Sequence, residues 1–346
     1  MGKHNLDNVK QIVKIYEVLW DKDETEWGMQ LMKIAVLLPV REKHRRLLEE
    51  RAPKAEFLYE SLKTLNIEHI KDADIIIGNP PIKTVRELKN LKWLQLQSAG
   101  VGEYADPGIL SEDVLLTNAS GAYGHAISEH MLGVLLELYK KLHIYRDQQN
   151  KSQWSYAGKV RTILGSTALI VGLGDIGGEF AARLKALGAY TIGIKRKASI
   201  KPDYLDELHM MDMLEALLPC ADIVALSLPE TPQTRNIINR DRIQLMKQDA
   251  VLINVGRGNA VDTEALCDAL VSGRLWGAAL DVTDPEPLPK EHRLWSIQNA
   301  VITPHVSGGF SLELTFDKII GICAANLEAY MGGWELSNLV DRSAGY

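Results

Sequence analysis

Short apolar blocks recur along the chain, separated by stretches in which apolar and polar positions alternate with helical spacing. The first series lies at residues 33–38, 73–77, 92–96 and 114–117, with a charged helix predicted over 41–51. A longer helical pattern at 127–145 leads into a second series at 167–172, 190–194, 222–227, 250–255, 277–281 and 300–303, and the tail at 312–331 is again helical. Strands that alternate with helices belong to parallel α/β sheets, because a parallel pair needs a crossover long enough to hold a helix. The chain therefore reads as two doubly wound parallel-sheet domains, with four strands in the first and six in the second. Ahead of them, Val9, Ile12, Val13, Tyr16 and Leu19 predict an amphipathic helix at 5–20. Since the first strand begins just after Met32, residues 1–31 are either an extension or a leader before a natural start at Met29 or Met32.

A length of 346 residues suits two domains at about 100 to 200 residues each. The 39 Lys and Arg against 45 Asp and Glu leave a net charge of -6, and no basic stripe offers itself to nucleic acid. No apolar run approaches the roughly 18 to 20 residues of a membrane span. Cys220, Cys267 and Cys323 are too few and scattered for a disulfide framework or a zinc site. Lys3 and Lys10 precede no apolar signal core, so a cytoplasmic protein with no metal is expected.

Chemistry enters at the strand ends. Ala168-Leu169-Ile170-Val171 runs into Gly172-Leu173-Gly174-Asp175-Ile176-Gly177 and then a helical stretch, the context a dinucleotide fingerprint requires. Gly172 permits the turn, Gly174 admits a pyrophosphate to backbone N–H groups, and Gly177 allows close helix-to-strand packing. An NAD enzyme would place a carboxylate at the end of the next strand, where this chain has Lys195-Arg196-Lys197. Those cations favour a 2'-phosphate and hence NADP(H), the alternative being a solvated basic loop with NAD bound. Later strand ends carry Arg257 in Asn254-Val255-Gly256-Arg257-Gly258, Glu286 in Asp284-Pro285-Glu286-Pro287, and His305 in Thr303-Pro304-His305. An anion anchor, a carboxylate and a proton carrier are what hydride exchange with a 2-oxo acid needs, although each residue alone could be structural.

Taken together with Ala279-Leu280-Asp281-Val282 and the run from Ala221-Asp222-Ile223-Val224 to Leu228-Pro229-Glu230-Thr231-Pro232-Gln233-Thr234, these motifs resemble the D-isomer-specific 2-hydroxyacid dehydrogenase family, glyoxylate/hydroxypyruvate reductases included. The resemblance covers nearly everything after Met32. It implies a Rossmann NAD(P)-binding domain at 129–305 inserted into a flavodoxin-like substrate domain at 32–128 plus 306–346, with a cleft between them, and a homodimer with Trp154 among its contacts. It also implies roles. Arg257 would bind the substrate carboxylate, His305 would carry the proton, and Glu286 would hold the imidazole. The cofactor would meet Gly172, Gly174, Asp175, Ile176, Gly177, Lys195, Arg196, Leu228, Pro229, Thr234, Val255, Gly256 and Asp281. Ser98, Ala99, Gly100 and Val101 would offer backbone amides to the substrate. The stretch Thr117 to Gly124 departs from the family's common wording, in which an Asn often stands near Tyr123, so the substrate stays open.

The expected activity is NAD(P)-dependent hydride transfer to and from C2 of a small 2-oxo or D-2-hydroxy acid, glyoxylate or hydroxypyruvate being attractive cases. Phosphoglycerate oxidation is less attractive because the chain ends at Tyr346, without the regulatory domain often attached there. A nucleotide-sensing, corepressor-like binding protein is the rival from another class. Formate enzymes pair the His with Gln where Glu286 stands here.

Overall fold

Aliphatic blocks with no water-tolerant face organise the chain into two all-parallel sheets in the computed structural model, which describes residues 31–309 and 312–342. The helix expected at 5–20 lies outside those residues. The first sheet contains β1 (Lys33–Val36), β2 (Glu56–Tyr59), β3 (Ile75–Ile77), β4 (Trp93–Gln95) and β5 (Leu115–Thr117), in the order β2-β1-β3-β4-β5. That is the flavodoxin-like order. Ile34, Ala35 and Val36 pair in register with Ile75, Ile76 and Ile77, and all six are fully buried. Each isoleucine so placed stabilises the fold by about 1.5–3 kcal/mol relative to exposure. The edge strand β2 was not expected. Its residues run from exposed Glu56 to half-buried Phe57, Leu58 and Tyr59, so it lacks the uniform apolar character of its neighbours.

One polar network is sealed inside this unit. Trp93 Nε1 donates to Thr117 Oγ1 at 2.8 Å, and Thr117 Oγ1 donates to Gln95 Oε1 at 2.8 Å. Gln95 Oε1 also accepts from Asn326 Nδ2 at 2.8 Å, while Asn326 Oδ1 receives the Ser337 N–H at 2.8 Å. Buried polar groups must be paired to be tolerated, and this network ties the chain's last helix, Glu313–Gly332, to β4 and β5.

The second sheet contains β6 (Thr167–Val171), β7 (Tyr190–Lys195), β8 (Glu207–Met210), β9 (Ile223–Leu226), β10 (Val251–Asn254), β11 (Gly277–Leu280) and β12 (Ala300–Ile302). Its order is β12-β11-β10-β9-β6-β7-β8, so the chain reverses direction of travel between β6 and β9, and the turn after β6 opens at that switch point. Seven strands stand where six were expected. The extra one, β8, is a four-residue edge strand, Glu-Leu-His-Met, with no fully buried side chain.

The helix expected at 127–145 is two helices. Ile127, Met131, Val134, Leu135 and Leu138 bury one face of Gly124–Lys140, which ends where Lys141 takes a left-handed φ of 57°, and Leu142–Asn150 follows. A left-handed residue is a common helix terminator, and lysine gives no sign of it in sequence. By contact density the chain divides into two units. One holds the described residues up to Gln97 with Pro107–Asn118 and Ile320–Leu339, and the other holds Ser98–Asp106, Ala119–Ile319 and Val340 onward. No helix among the described residues is long and apolar enough to cross a membrane.

Replacing Asn326 by Ala removes one of the two donors to Gln95 Oε1 and leaves the Ser337 N–H and carbonyl without their Asn326 partners. A loss of about 2–4 kcal/mol is expected for the unit that contains the first sheet, read as a lower urea midpoint of its unfolding transition.

Candidate active site

Every residue proposed for chemistry from the motifs lies in the second unit. β6 delivers Gly172 beside the chain leaving β9. Its N–H donates to Ile194 O at 3.0 Å, and its carbonyl receives the Ser227 hydroxyl at 2.6 Å. Gly172 has φ 99°, and a Cβ there would lie 2.8 Å from Ser227 O, so only glycine fits. A Cβ on Gly177 would run into the Gly172 carbonyl. Gly174, by contrast, faces open space and is the N-cap of the helix Asp175–Ala186, which has no side-chain cap. The first N–H groups of that helix are therefore presented without a protein anion in front of them. Asp175 turns aside, its carboxylate accepting the Gly124 N–H at 2.7 Å and capping the helix Gly124–Lys140.

At the end of β7, Lys195, Lys197 and Lys201 line a cavity of about 200 Å³ together with Ser199 and His209. The Lys195 ammonium donates to Ser199 Oγ at 3.1 Å, and His209 is paired with Glu207 at 2.6 Å. Arg196 follows Lys195 directly and is exposed.

The loop after β10 is built around buried Asn254. Its Oδ1 accepts the Gly256 N–H at 3.1 Å and its Nδ2 donates to Arg257 O at 2.9 Å. Gly256 lies against the backbone of Leu228, 2.6 Å from its carbonyl if a Cβ were added, and Gly258 abuts the backbone of Thr283. Arg257 is thus gripped on both sides. Its Nη1 donates to Gly256 O at 2.7 Å, and its Nη2 occupies the space a Cβ on Gly100 would need. In the same segment Ser98 Oγ donates to Gly100 O at 2.6 Å, and its carbonyl accepts from Ala119 N at 2.9 Å. Pro229 O receives the Thr234 hydroxyl at 2.7 Å, which closes the turn after β9. Val255 is nearly buried there.

Thr283 links this loop to the next pair. Its N–H donates to Glu286 Oε1 at 3.0 Å, and Glu286 Oε2 lies 2.9 Å from His305 Nδ1. With one carboxylate oxygen held by the backbone, the other is aimed at the ring. His305 and Glu286 expose about half and two fifths of their side chains (50% and 40%), so the contact orients the imidazole more than it stabilises the fold. His305 has φ 51°, a conformation that a non-glycine residue keeps only where its surroundings impose it.

Those surroundings include Asp281, which is 3% exposed. Its Oδ1 accepts from Thr303 Oγ1 at 2.6 Å and Val306 N at 3.0 Å, and its Oδ2 from Ser307 N at 3.1 Å and Ser307 Oγ at 2.5 Å. Burial pushes this carboxyl upward, but the Ser307 and Thr303 hydroxyls and two backbone N–H groups outweigh it and hold the group below its ordinary value. Both oxygens are committed to the loop bearing His305. The motifs contain Thr303 and Ser307, but nothing in their spacing marks them as Asp281 partners. Nor did the pattern single out His130, whose Nε2 lies 3.2 Å from Thr303 Oγ1.

A sequence model of the D-isomer specific 2-hydroxyacid dehydrogenase NAD binding domain matches residues 132–307. The chain belongs to this family. A glyoxylate reductase from Thermofilum pendens is 33% identical over 278 residues, covering 77% of this chain and 81% of the relative. A D-isomer specific 2-hydroxyacid dehydrogenase family protein from Aeromonas salmonicida superposes with a TM-score of 0.80 at 30% identity, over 90% of this chain and 100% of that one. An NADPH-dependent glyoxylate/hydroxypyruvate reductase from Sinorhizobium meliloti, solved with NADP and sulfate, gives a TM-score of 0.76 at 25% identity over 91% and 100% of the two chains. As a member of the D-2-hydroxyacid dehydrogenase family, the chain is an NAD(P)-dependent oxidoreductase on a Rossmann fold paired with a flavodoxin-like sheet.

Asp281 has a lowered folded-state pKa, so the stability it contributes is complete above its unfolded value of about 4 and is lost as pH falls through the folded one. Asp281→Asn is expected to lower the melting temperature at pH 7 and to flatten its fall below pH 5, as read by thermal unfolding from pH 3 to 7.

Proposed function

We propose that this chain reduces a small 2-oxo acid, with glyoxylate or hydroxypyruvate the first to test, using NADPH in preference to NADH. The observation that carries the reading is the His305–Glu286 pair at 2.9 Å, standing in one unit with Arg257 and the glycine turn after β6. The residues present fit a dinucleotide. Gly174 leaves open space before an uncapped helix N-terminus, where a pyrophosphate would be received, and the lysine-lined cavity at the end of β7 suits a 2'-phosphate. The nicotinamide, when bound, supplies the hydride.

The chain's own groups do the rest. Arg257 presents its guanidinium beside Gly100, where the lack of a side chain makes room for it, and in this reading it anchors the substrate carboxylate next to the 98–101 segment. His305 gives the 2-oxo oxygen its proton as that oxygen gains charge. Glu286 accepts from the Nδ1 side of the ring, which leaves Nε2 as the nitrogen turned to substrate. A homodimer belongs to the same reading, supported by Trp154, Tyr156, Val160 and Leu164, which crowd one segment as exposed apolar side chains.

Absorbance at 340 nm with NADPH or NADH and a panel of glyoxylate, hydroxypyruvate, pyruvate and branched 2-oxo acids tests the whole proposal. Oxidation of NADPH by one of the first two is expected, and a preference for NADH would overturn the assignment to the cations. His305→Ala should cost about 10² to 10⁴ in kcat with cofactor binding intact. Arg257→Lys keeps the charge but not the planar fork, so the KM for the acid should rise by about tenfold or more, and an unchanged KM would make Arg257 structural.

A further inference from the structure

The helix Gly124–Lys140 buries an apolar stripe, and His130 stands beside it with a contact that packing does not call for. His130 Nε2 is 3.2 Å from Thr303 Oγ1. Thr303 has one hydroxyl hydrogen, and at 2.6 Å from Asp281 Oδ1 that hydrogen goes to the carboxylate. Oγ1 therefore accepts from His130, and Nε2 carries the proton. Asp281 in turn holds the N–H groups of Val306 and Ser307 and the Ser307 hydroxyl, and its main-chain carbonyl receives the His305 N–H at 2.8 Å. A series of hydrogen bonds thus runs from His130 through Thr303 and Asp281 to the two backbone N–H groups that follow His305. The helix is itself fixed in register, because Asp175 takes its Gly124 N–H and His125 Nδ1 lies 2.9 Å from Arg183 Nη2.

We propose that His130 is a positioning residue for His305. It fixes the Thr303 hydroxyl, which with Asp281 holds residues 306 and 307 in place and His305 in the left-handed conformation that directs its ring to Glu286. An apolar side chain at 130 would leave Oγ1 free to rotate off Asp281, and the loop would gain conformations in which the ring is misdirected. Displacement of a reacting group by a fraction of an ångström is felt in rate before it is felt in binding. The catalytic consequence rests on the 2-oxo acid reductase reading; the structural one does not.

His130→Ala and Thr303→Val are each compared with the full-length wild type in two ways. With NADPH and glyoxylate, kcat should fall by about tenfold at unchanged glyoxylate KM and NADPH Kd. By hydrogen–deuterium exchange without ligand, the Val306 and Ser307 amides should exchange about tenfold faster while the Gly172 to Gly177 turn keeps its protection. The double variant should lose no more than the worse single one, and Thr303→Ser, which restores the hydroxyl, should recover most of the loss. Wild-type exchange in both single variants, losses that multiply in the double variant, or a raised KM with full kcat would sink the proposal. If His130→Ala does not fold, the Thr303→Val and Thr303→Ser pair decides by the same readings. A wild-type protein inert toward glyoxylate would overturn the substrate assignment alone, and the exchange measurement would still decide the positioning role.

Discussion

Adjacent strands of a sheet lie about 4.8 Å apart, and at the carboxyl edge of the second sheet the loops after β6, β9, β10 and β11 must all leave within that spacing. Main chain packs on main chain there. Gly172 lies against Ser227, Gly256 against Leu228, and Gly258 against Thr283, each so closely that a methyl group would strike backbone. This congestion has a functional side. A loop with no slack can hold an arginine or a glutamate in one direction, and no entropy need be lost at the moment of reaction to put it there. Arg257 and the backbone that orients Glu286 are both set by the Gly258–Thr283 contact, so the guanidinium and the carboxylate beside His305 share one rigid base.

Two carboxylates near His305 do different work because they sit in different surroundings. Glu286 is partly in water, where its attraction to the imidazole is screened, and its value is directional. Asp281 is sealed from water and would be costly if any lone pair were left unmet, yet hydroxyl and N–H donors converge on it. A buried anion saturated by donors from one loop acts as a staple for that loop. The left-handed backbone of His305 is affordable because the staple closes around it.

What could be read in the sequence follows from the same physics. Interior strands such as β3 and β6 are buried on both faces, so their apolar blocks announce them, whereas β2 and β8 keep polar residues at the sheet edge and have no such signature. The glycines and the Arg, Glu and His positions were legible because tight turns and strand ends leave local motifs. The contacts among them were not. His130 and Thr303 are 173 residues apart, and Asp175 and Gly124 are 51 apart, distances over which neither helical nor strand periodicity carries information. The break at Lys141 was equally hidden, since a lysine followed by further helix formers gives no stop signal.

Charge completes the division between what is global and what is local. The chain carries a net charge of -6, which taken alone would disfavour an anionic cofactor and an anionic substrate. At about 0.15 M salt, however, exposed charges more than about 8 Å apart are largely screened, so distant carboxylates hardly matter at a strand end. The nearest shell there is Lys195, Lys197 and Lys201 around one small cavity, and the start of the helix Asp175–Ala186 has no side-chain cap. Asp175 is the one acid at that turn, and its carboxylate is spent on the Gly124 N–H. An acidic protein thereby keeps a cationic edge, and the residue that could spoil it is used instead to anchor the helix that carries His130.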